Sequence, residues 1–123
     1  MSPQPIAVLV VEDEPLLRMD IVAALVGEGF TVFEAGNASE AITILSINPD
    51  IHALFTDIDM PGSVDGLKLA AFVKDRWPPV EIIVTSGKWK LAAEELPLGA
   101  IFVPKPYEHA QVIRSIRALL KAA

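Results

Sequence analysis

Five short apolar segments alternate with stretches of helical periodicity along the whole of this 123-residue chain. The segments are rich in β-branched residues, which predicts strands. Such regular alternation predicts a (βα)₅ fold, a single parallel sheet with right-handed crossovers and helices on both faces. The predicted strands are Ile6–Val11, Thr31–Glu34, Ile51–Thr56, Val80–Thr85 and Ala100–Val103.

The arrangement of the strands follows from their composition. The first and third strands are the most uniformly apolar, so we expect them at the centre of the sheet, covered on both faces. Pro104 ends the last strand and cannot donate a backbone hydrogen bond, so that strand fits an edge position.

The intervening stretches carry helix start and stop signals. The first begins at Pro15, ends at Gly27 and Gly29, and places an apolar stripe on one face. Asn37, followed three residues later by Glu40, resembles a capping box. The apolar stripe of the first helix consists of Leu17, Ile21, Val22, Leu25 and Val26. Three further helices are predicted at Ala38–Ser46, Asp65–Arg76 and, as a short one, Lys90–Leu96. The apolar stripe of the last helix consists of Val112, Ile113, Ile116, Leu119 and Leu120.

Composition excludes several classes of function. The net charge of −6 argues against nucleic-acid binding by this domain, because phosphate backbones are held by clustered Lys and Arg. Without cysteine there are no disulfides or thiolate metal sites, which fits a reducing compartment. No apolar run approaches the roughly 20 residues of a membrane span, and the start lacks signal-peptide character. We expect a single cytoplasmic domain over residues 1–123, with no membrane association.

Polar residues follow four of the five predicted strands. Glu12, Asp13 and Glu14 follow the first strand and Asp57 follows the third, with Asp59 two residues beyond it. The fourth strand is followed by a hydroxyl and a glycine, Ser86 and Gly87, and the last by Lys105. In open α/β sheets ligands bind at the carboxyl ends of the strands, so these groups are predicted to form one site.

Electrostatics suggest what this site holds. Two like charges about 5 Å apart repel by roughly 3 kcal/mol at an effective dielectric constant near 20, so Glu12, Asp13 and Asp57 need a counter-ion. An all-oxygen, partly hydrated site completed by a phosphate is what Mg²⁺ prefers. Lys105 and Ser86 can donate to phosphoryl oxygens. The pattern indicates a carboxylate that accepts phosphorus.

Five motifs in this order resemble the receiver domain of bacterial two-component response regulators. They are VVEDEP at residues 10–15, DIDMP at 57–61, DG at 65–66, TSG at 85–87 and KPY at 105–107. The resemblance covers nearly the whole chain. It implies a flavodoxin-like sheet with strand order 2-1-3-4-5, and a regulatory domain, not an enzyme, that resembles stand-alone regulators of the chemotaxis type.

The resemblance also implies a role for each matching residue. Asp57 would be the phospho-acceptor, Asp13 a direct ligand of Mg²⁺ (for which Mn²⁺ can substitute), and Glu12 an acidic partner acting through water. Asp59 would offer its backbone carbonyl to the metal. Ser86 and Lys105 would bind the phosphoryl group, with the Lys105-Pro106 peptide bond cis. Phe102 would be the aromatic residue that turns inward on activation, with simple packing against the last helix as the alternative.

Some expectations concern regulation and surfaces. Asp59 and Lys88 flank the acceptor and could pair across its mouth to hinder an attacking water, or could be two solvated charges.

His52 and His109 are predicted to be structural or surface residues. The segment 57–66 is one residue longer than is usual in the family, and the fourth helix looks short.

The resemblance further implies partners. A histidine kinase or a histidine phosphotransfer protein would supply the phosphoryl group, and an unknown protein would read the switch. Because the last helix closes the chain, we expect a single-domain regulator or phosphorelay shuttle. A homodimer, if it forms, would use either the first helix or the face made by the fourth helix, last strand and last helix.

Three alternatives remain open from the residues. Asp57-Ile58-Asp59 resembles the DxD motif of haloacid-dehalogenase-type phosphatases, but in that family the motif follows the first strand. A pseudo-receiver would bind a partner without phosphorylation, although the acceptor, acids, hydroxyl and lysine are all present. A flavodoxin-type ligand binder would need a phosphate-binding loop where this chain has three acids.

Overall fold

A computed structural model describes residues 5–59, 66–87, 96–97 and 99–122. Within them lies one parallel sheet of five strands in the order β2-β1-β3-β4-β5. The strands are β1 (Ala7–Val11), β2 (Thr31–Ala35), β3 (Ala53–Asp57), β4 (Glu81–Ser86) and β5 (Ile101–Pro104). The predicted order and the edge position of the last strand are confirmed.

Four helices are described, and each matches a predicted one. They are α1 (Pro15–Gly27), α2 (Ala38–Ile47), α3 (Gly66–Arg76) and α4 (His109–Ala122), the last being the fifth predicted helix. The fourth predicted helix falls almost entirely on residues 88–95, outside the described part of the chain, as does the predicted partner Lys88. No helix in the described ranges has both the length and the apolar character needed to cross a bilayer.

The start of α2 shows how local sequence sets an element boundary. The Asn37 side chain accepts from the backbone N–H of Glu40 at 2.8 Å. The Glu40 carboxylate reaches back to the N–H of Gly36 at 2.7 Å, one residue earlier than in a standard capping box. Both contacts satisfy backbone donors that a helix end would otherwise leave unpaired.

The sheet separates two apolar clusters, as a sheet covered by helices on both faces requires. Leu9, Leu54 and Val84 face the first cluster, under α2 and α3, whereas Val8, Phe55 and Ile83 face the second, under α1 and α4. Successive side chains of one strand point to opposite faces, which explains the division.

The predicted stripe of α1 is correct only in part. Ile21 and Leu25 are fully buried, but Leu17 and Val26 are 42% and 55% exposed. Val22 is partly buried against the cluster under α1 and α4, so the apolar seam of α1 is narrower than the sequence suggests.

Gly66 fixes where α3 begins relative to β3. A β-carbon at this position would collide with the carbonyl oxygen of Asp57 and lie 2.5 Å from the α-carbon of Ile58. Only glycine allows the helix backbone to come this close to the strand end. The main chain of the acceptor candidate is thus in close contact with the start of α3.

Candidate functional site

The polar strand ends meet at the carboxyl edge of the sheet, as predicted. β1 lies beside β3, and β3 beside β4, with Asp57 in register with Thr85. Glu12 follows β1 directly, and Lys105 follows β5, where its backbone N–H donates to the carbonyl of Ser86 at 3.0 Å. The topology therefore places side chains from four strands around the end of β3.

Three carboxylates converge there. Glu12, Asp13 and Asp57 each offer one oxygen, and these oxygens lie within 4.8 Å of one another. Glu12 and Asp57 are buried, with 4% and 3% exposed, whereas Asp13 is exposed. Oxygen-only donors with one exposed side suit a hard cation that keeps part of its water, so these residues fit Mg²⁺.

Lys105 supplies the positive charge of the site. Its Nζ donates to Asp57 Oδ2 at 2.8 Å and to Glu12 Oε1 at 3.4 Å. Burial alone would lower the pKa of this ammonium, but the hydrogen bond and the charge of Asp57 outweigh it and raise the pKa above its ordinary value. The Lys105-Pro106 peptide bond is cis, as the motif implied.

The pKa of Glu12 is raised by its surroundings. Burial raises its pKa to about 7, and the adjacent Asp57 carboxylate adds to the rise through a hydrogen bond and its charge. The backbone carbonyl of Glu12 accepts from the Arg18 guanidinium at 2.8 Å, which fixes the main chain at this position. Among the described residues, Lys105 alone does not neutralise three carboxylates, which is the electrostatic reason to expect a cation.

Asp59 takes a position that the sequence did not suggest. Its backbone N–H donates to Asp57 Oδ1 at 2.8 Å. Its carboxylate accepts from the Ser86 hydroxyl at 2.7 Å and from the Gly87 N–H at 2.9 Å, one bond at each oxygen. The contact depends on the stagger of β3 against β4, which no residue pattern in the sequence gives.

Tyr107 packs into the core near the site. Its ring lies edge-on against Phe55, with centroids 5.4 Å apart. Burial raises the pKa of its phenol to about 12, and the charge of Glu12 contributes. Tyr107 therefore packs against the core on the α1–α4 side and lines a pocket together with Lys105.

Phe102 lies on β5, paired in register with Val84. It is partly buried against the cluster under α2 and α3. The alternative of packing against the last helix is therefore wrong, because α4 covers the other face of the sheet.

The two histidines lie outside the acid cluster. His52 Nδ1 accepts from the backbone N–H of Ala7 at 2.9 Å, at the opposite end of the sheet. His109 Nε2 lies 3.0 Å from Asp20 Oδ2 and links α4 to α1, on a pocket wall shared with Lys105 and Tyr107. Both contacts agree with structural roles.

Known proteins share this fold. A crystal structure of a response regulator receiver protein from Sinorhizobium medicae has a TM-score of 0.86 at 28% identity, and the match covers 98% of each chain. The receiver domain of the hybrid histidine kinase CckA has a TM-score of 0.80 at 28% identity, covering 93% of this chain and 98% of that one.

Sequence relatives are longer proteins. The positive alginate biosynthesis regulatory protein of Pseudomonas aeruginosa is 37% identical over 116 residues, 89% of this chain and 45% of that protein. An NtrX-like response regulator of Rickettsia felis is 34% identical over 110 residues, 86% of this chain and 23% of that protein. The chain thus spans less than half of either relative. A family model described as the response regulator receiver domain matches residues 8–117, and with the sheet order and converging strand ends this places the chain in that family.

Proposed function

We propose that this domain is a phosphorylation switch whose acceptor is Asp57. Phosphorylation-dependent switching is the general function of receiver domains, which are regulatory phospho-acceptor domains of two-component response regulators. The observation that carries the assignment is the setting of Asp57. Its buried carboxylate ends the central strand β3 and contacts the ammonium of Lys105, which also contacts Glu12.

In the transfer step, a carboxylate oxygen of Asp57 bonds to phosphorus while the bond between phosphorus and the donor's imidazole nitrogen breaks. The imidazole leaves with the bonding electron pair and is neutral, because its other ring nitrogen carries a proton. Lys105 holds the attacking carboxylate and afterwards pairs with a phosphoryl oxygen. Catalysis of this kind is mainly positioning and neutralisation of charge.

A magnesium ion fits the acidic side of the site. Asp13, Asp57, the backbone carbonyl of Asp59 and, through water, Glu12 would hold it. When bound, Mg²⁺ supplies neutralisation of the phosphoryl charge that one lysine cannot provide. The convergence of three carboxylate oxygens within 4.8 Å of one another supports this fit.

Phosphorylation would act on the rest of the domain through Ser86 and Phe102. Ser86 ends β4 beside the acceptor, and Phe102 pairs in register with Val84 of that strand. Recruitment of the Ser86 hydroxyl to a phosphoryl oxygen would therefore move the strand end against which β5 and Phe102 pack. The altered face would be read by a protein partner.

We further propose that residues 1–123 act as one cytoplasmic receiver domain. The donor would be a histidine kinase or a histidine phosphotransfer protein, since receiver domains take their phosphoryl group from histidine kinases. The domain would then serve as a response regulator or as a shuttle in a phosphorelay.

The test is intact-protein mass after incubation with phosphoramidate, with and without Mg²⁺. We expect a Mg²⁺-dependent gain of one phosphoryl group in the wild type and in Asp50→Asn, which makes the same change at an exposed loop far from the site. Asp57→Asn should gain none. A wild type that gains no mass under any condition would favour the pseudo-receiver, and a gain retained by Asp57→Asn would place the acceptor elsewhere.

A further inference from the structure

The carboxylate of Asp59 lies where a ligand anion would be expected. Its two oxygens accept separately from the Ser86 hydroxyl, at 2.7 Å, and from the Gly87 backbone N–H, at 2.9 Å. Two donors side by side, each taken by a different oxygen of one planar anion, form a small anion-binding site at the end of β4. An acidic side chain of the chain itself occupies it.

The same donors are the ones that a phosphoryl group on Asp57 would need. Asp57 is in register with Thr85, so Ser86 and Gly87 are the next two residues beyond the acceptor's neighbour on β4. Asp57 Oδ2 already contacts Lys105, and Asp57 Oδ1 accepts from the N–H of Asp59. The two donors on the β4 side, the Ser86 hydroxyl and the Gly87 N–H, are both bound to the Asp59 carboxylate.

We propose that Asp59 is an internal phosphate mimic that competes with the phosphoryl group of Asp57 for Ser86 and Gly87. The proposal rests on Asp57 being the acceptor. Before phosphorylation the Asp59 carboxylate holds the end of β4 in its resting position. Phosphorylation must displace it, because two anions cannot share two donors and would repel each other at this separation.

Displacement of the Asp59 carboxylate affects both the formation and the loss of the phosphorylated state. Breaking two charge-assisted hydrogen bonds opposes formation of the modified state, so Asp59 sets a threshold for switching. After the phosphoryl group is lost, the carboxylate restores the resting contacts without any other partner. Asp59 is thus a positioning residue, since it acts on Ser86 and Gly87 and not on the reacting atoms.

The probe is beryllofluoride with Mg²⁺, an equilibrium mimic of the phosphoryl group, titrated into the full chain. Losing one charge-assisted competitor should make beryllofluoride bind Asp59→Ala about tenfold tighter than the wild type. Asp50→Ala, an equal change of charge at an exposed loop, should bind as the wild type does.

A double-mutant cycle separates competition for donors from loss of negative charge. In a Ser86→Ala background the gain from Asp59→Ala should shrink to roughly threefold, because one of the two shared donors is gone. A gain that stays undiminished in that background would mean that Asp59 acts through its charge alone, which overturns the proposal.

Amide exchange at Gly87 tests the contact without any phosphate mimic. The Asp59→Ala variant should exchange this N–H about tenfold faster than the wild type, with no change at the buried amides of β3. Equal exchange would overturn the proposal, as would equal beryllofluoride affinity in wild type and Asp59→Ala.

The acceptor role of Asp57 and the competing role of Asp59 are tested by different results. If neither the wild type nor Asp59→Ala binds beryllofluoride although Gly87 exchange is accelerated, the acceptor assignment is wrong and the competition falls with it. If the wild type takes up a phosphoryl group but Asp59→Ala binds beryllofluoride no better, only the role of Asp59 is overturned. If Asp59→Ala binds beryllofluoride and the wild type does not, Asp59 competes strongly for the donors of Ser86 and Gly87.

Discussion

At the scale of single residues, the carboxylates of the site outnumber the positive charges that contact them within the described part of the chain. Lys105 is shared between Asp57 and Glu12, at 2.8 and 3.4 Å, and it cannot satisfy both equally. Glu12 responds by holding its proton to a higher pH than an exposed glutamate does. The same burial acts on Tyr107, whose titration can be followed separately because the chain has one tyrosine.

We predict that the phenol of Tyr107 ionises with a midpoint near pH 12 in the folded protein and near pH 10 in urea. The folded state keeps this proton where the unfolded state loses it. Its contribution to stability is therefore complete below pH 10 and disappears as the pH rises through 12. Phenolate absorbance measures both midpoints, and a folded-state midpoint near 10 would contradict the burial of the ring.

The Tyr107→Phe variant is the matched control. It cannot ionise, so its free energy of unfolding should fall less than that of the wild type between pH 10 and 12. Parallel urea titrations at both pH values give this difference directly.

At the scale of elements, the sequence predicted what depends on local pattern. Pro15, Asn37 and the apolar runs set the helix and strand positions to within one or two residues, because caps and periodicity are properties of neighbouring residues. The side on which Phe102 packs and the exposure of Leu17 and Val26 depend on which helix covers which face, so sequence spacing alone could not give them.

The residues of the site could likewise be predicted where they depend on the order of residues along the chain, but not where they depend on packing. Which strand ends carry acids, a hydroxyl and a lysine could be predicted from the chain, since parallel strands bring their carboxyl ends together. The contacts of Asp59 with Ser86 and Gly87 could not, because they depend on the exact stagger of β3 against β4.

The junction of β3 and α3 gives a prediction at this scale. Gly66→Ala should lower the free energy of unfolding by about 2–3 kcal/mol, since the added methyl group meets backbone that cannot rotate away. Gly27→Ala, at the end of α1 where nothing lies within 4 Å of an added β-carbon, should be stabilising by about 0.5 kcal/mol. Urea unfolding of both variants tests this, and equal effects would contradict a close approach at Gly66.

At the scale of the whole molecule, the fold holds its acids against repulsion by means of the two cores on either side of the sheet. Side chains of β3 that point into both cores, such as Leu54 and Phe55, are 0% and 2% exposed. The strand that carries Asp57 is thus fixed by the most buried part of the protein, and repulsion at its end is opposed by packing of the entire domain.

We therefore predict that Asp57→Asn, which removes one of the crowded charges, raises the free energy of unfolding of the metal-free domain by about 1 kcal/mol. In the wild type, Mg²⁺ at ten times its dissociation constant should add about 1.4 kcal/mol, and Asp57→Asn should gain less. Thermal unfolding with EDTA or with Mg²⁺ measures both. A less stable Asp57→Asn in EDTA would show that its contact with Lys105 outweighs the repulsion.

The close approach of Gly66 makes the two sides of the acceptor residue unlike. On the α3 side, the main chain of Asp57 lies so near the helix backbone that an added β-carbon would have no room. On the β4 side it is bordered by hydroxyl, carboxylate and amide groups that can exchange partners. A group added to Asp57 would meet these exchangeable partners at the end of β4, and their rearrangement would pass from β4 to β5 at the outer edge of the sheet.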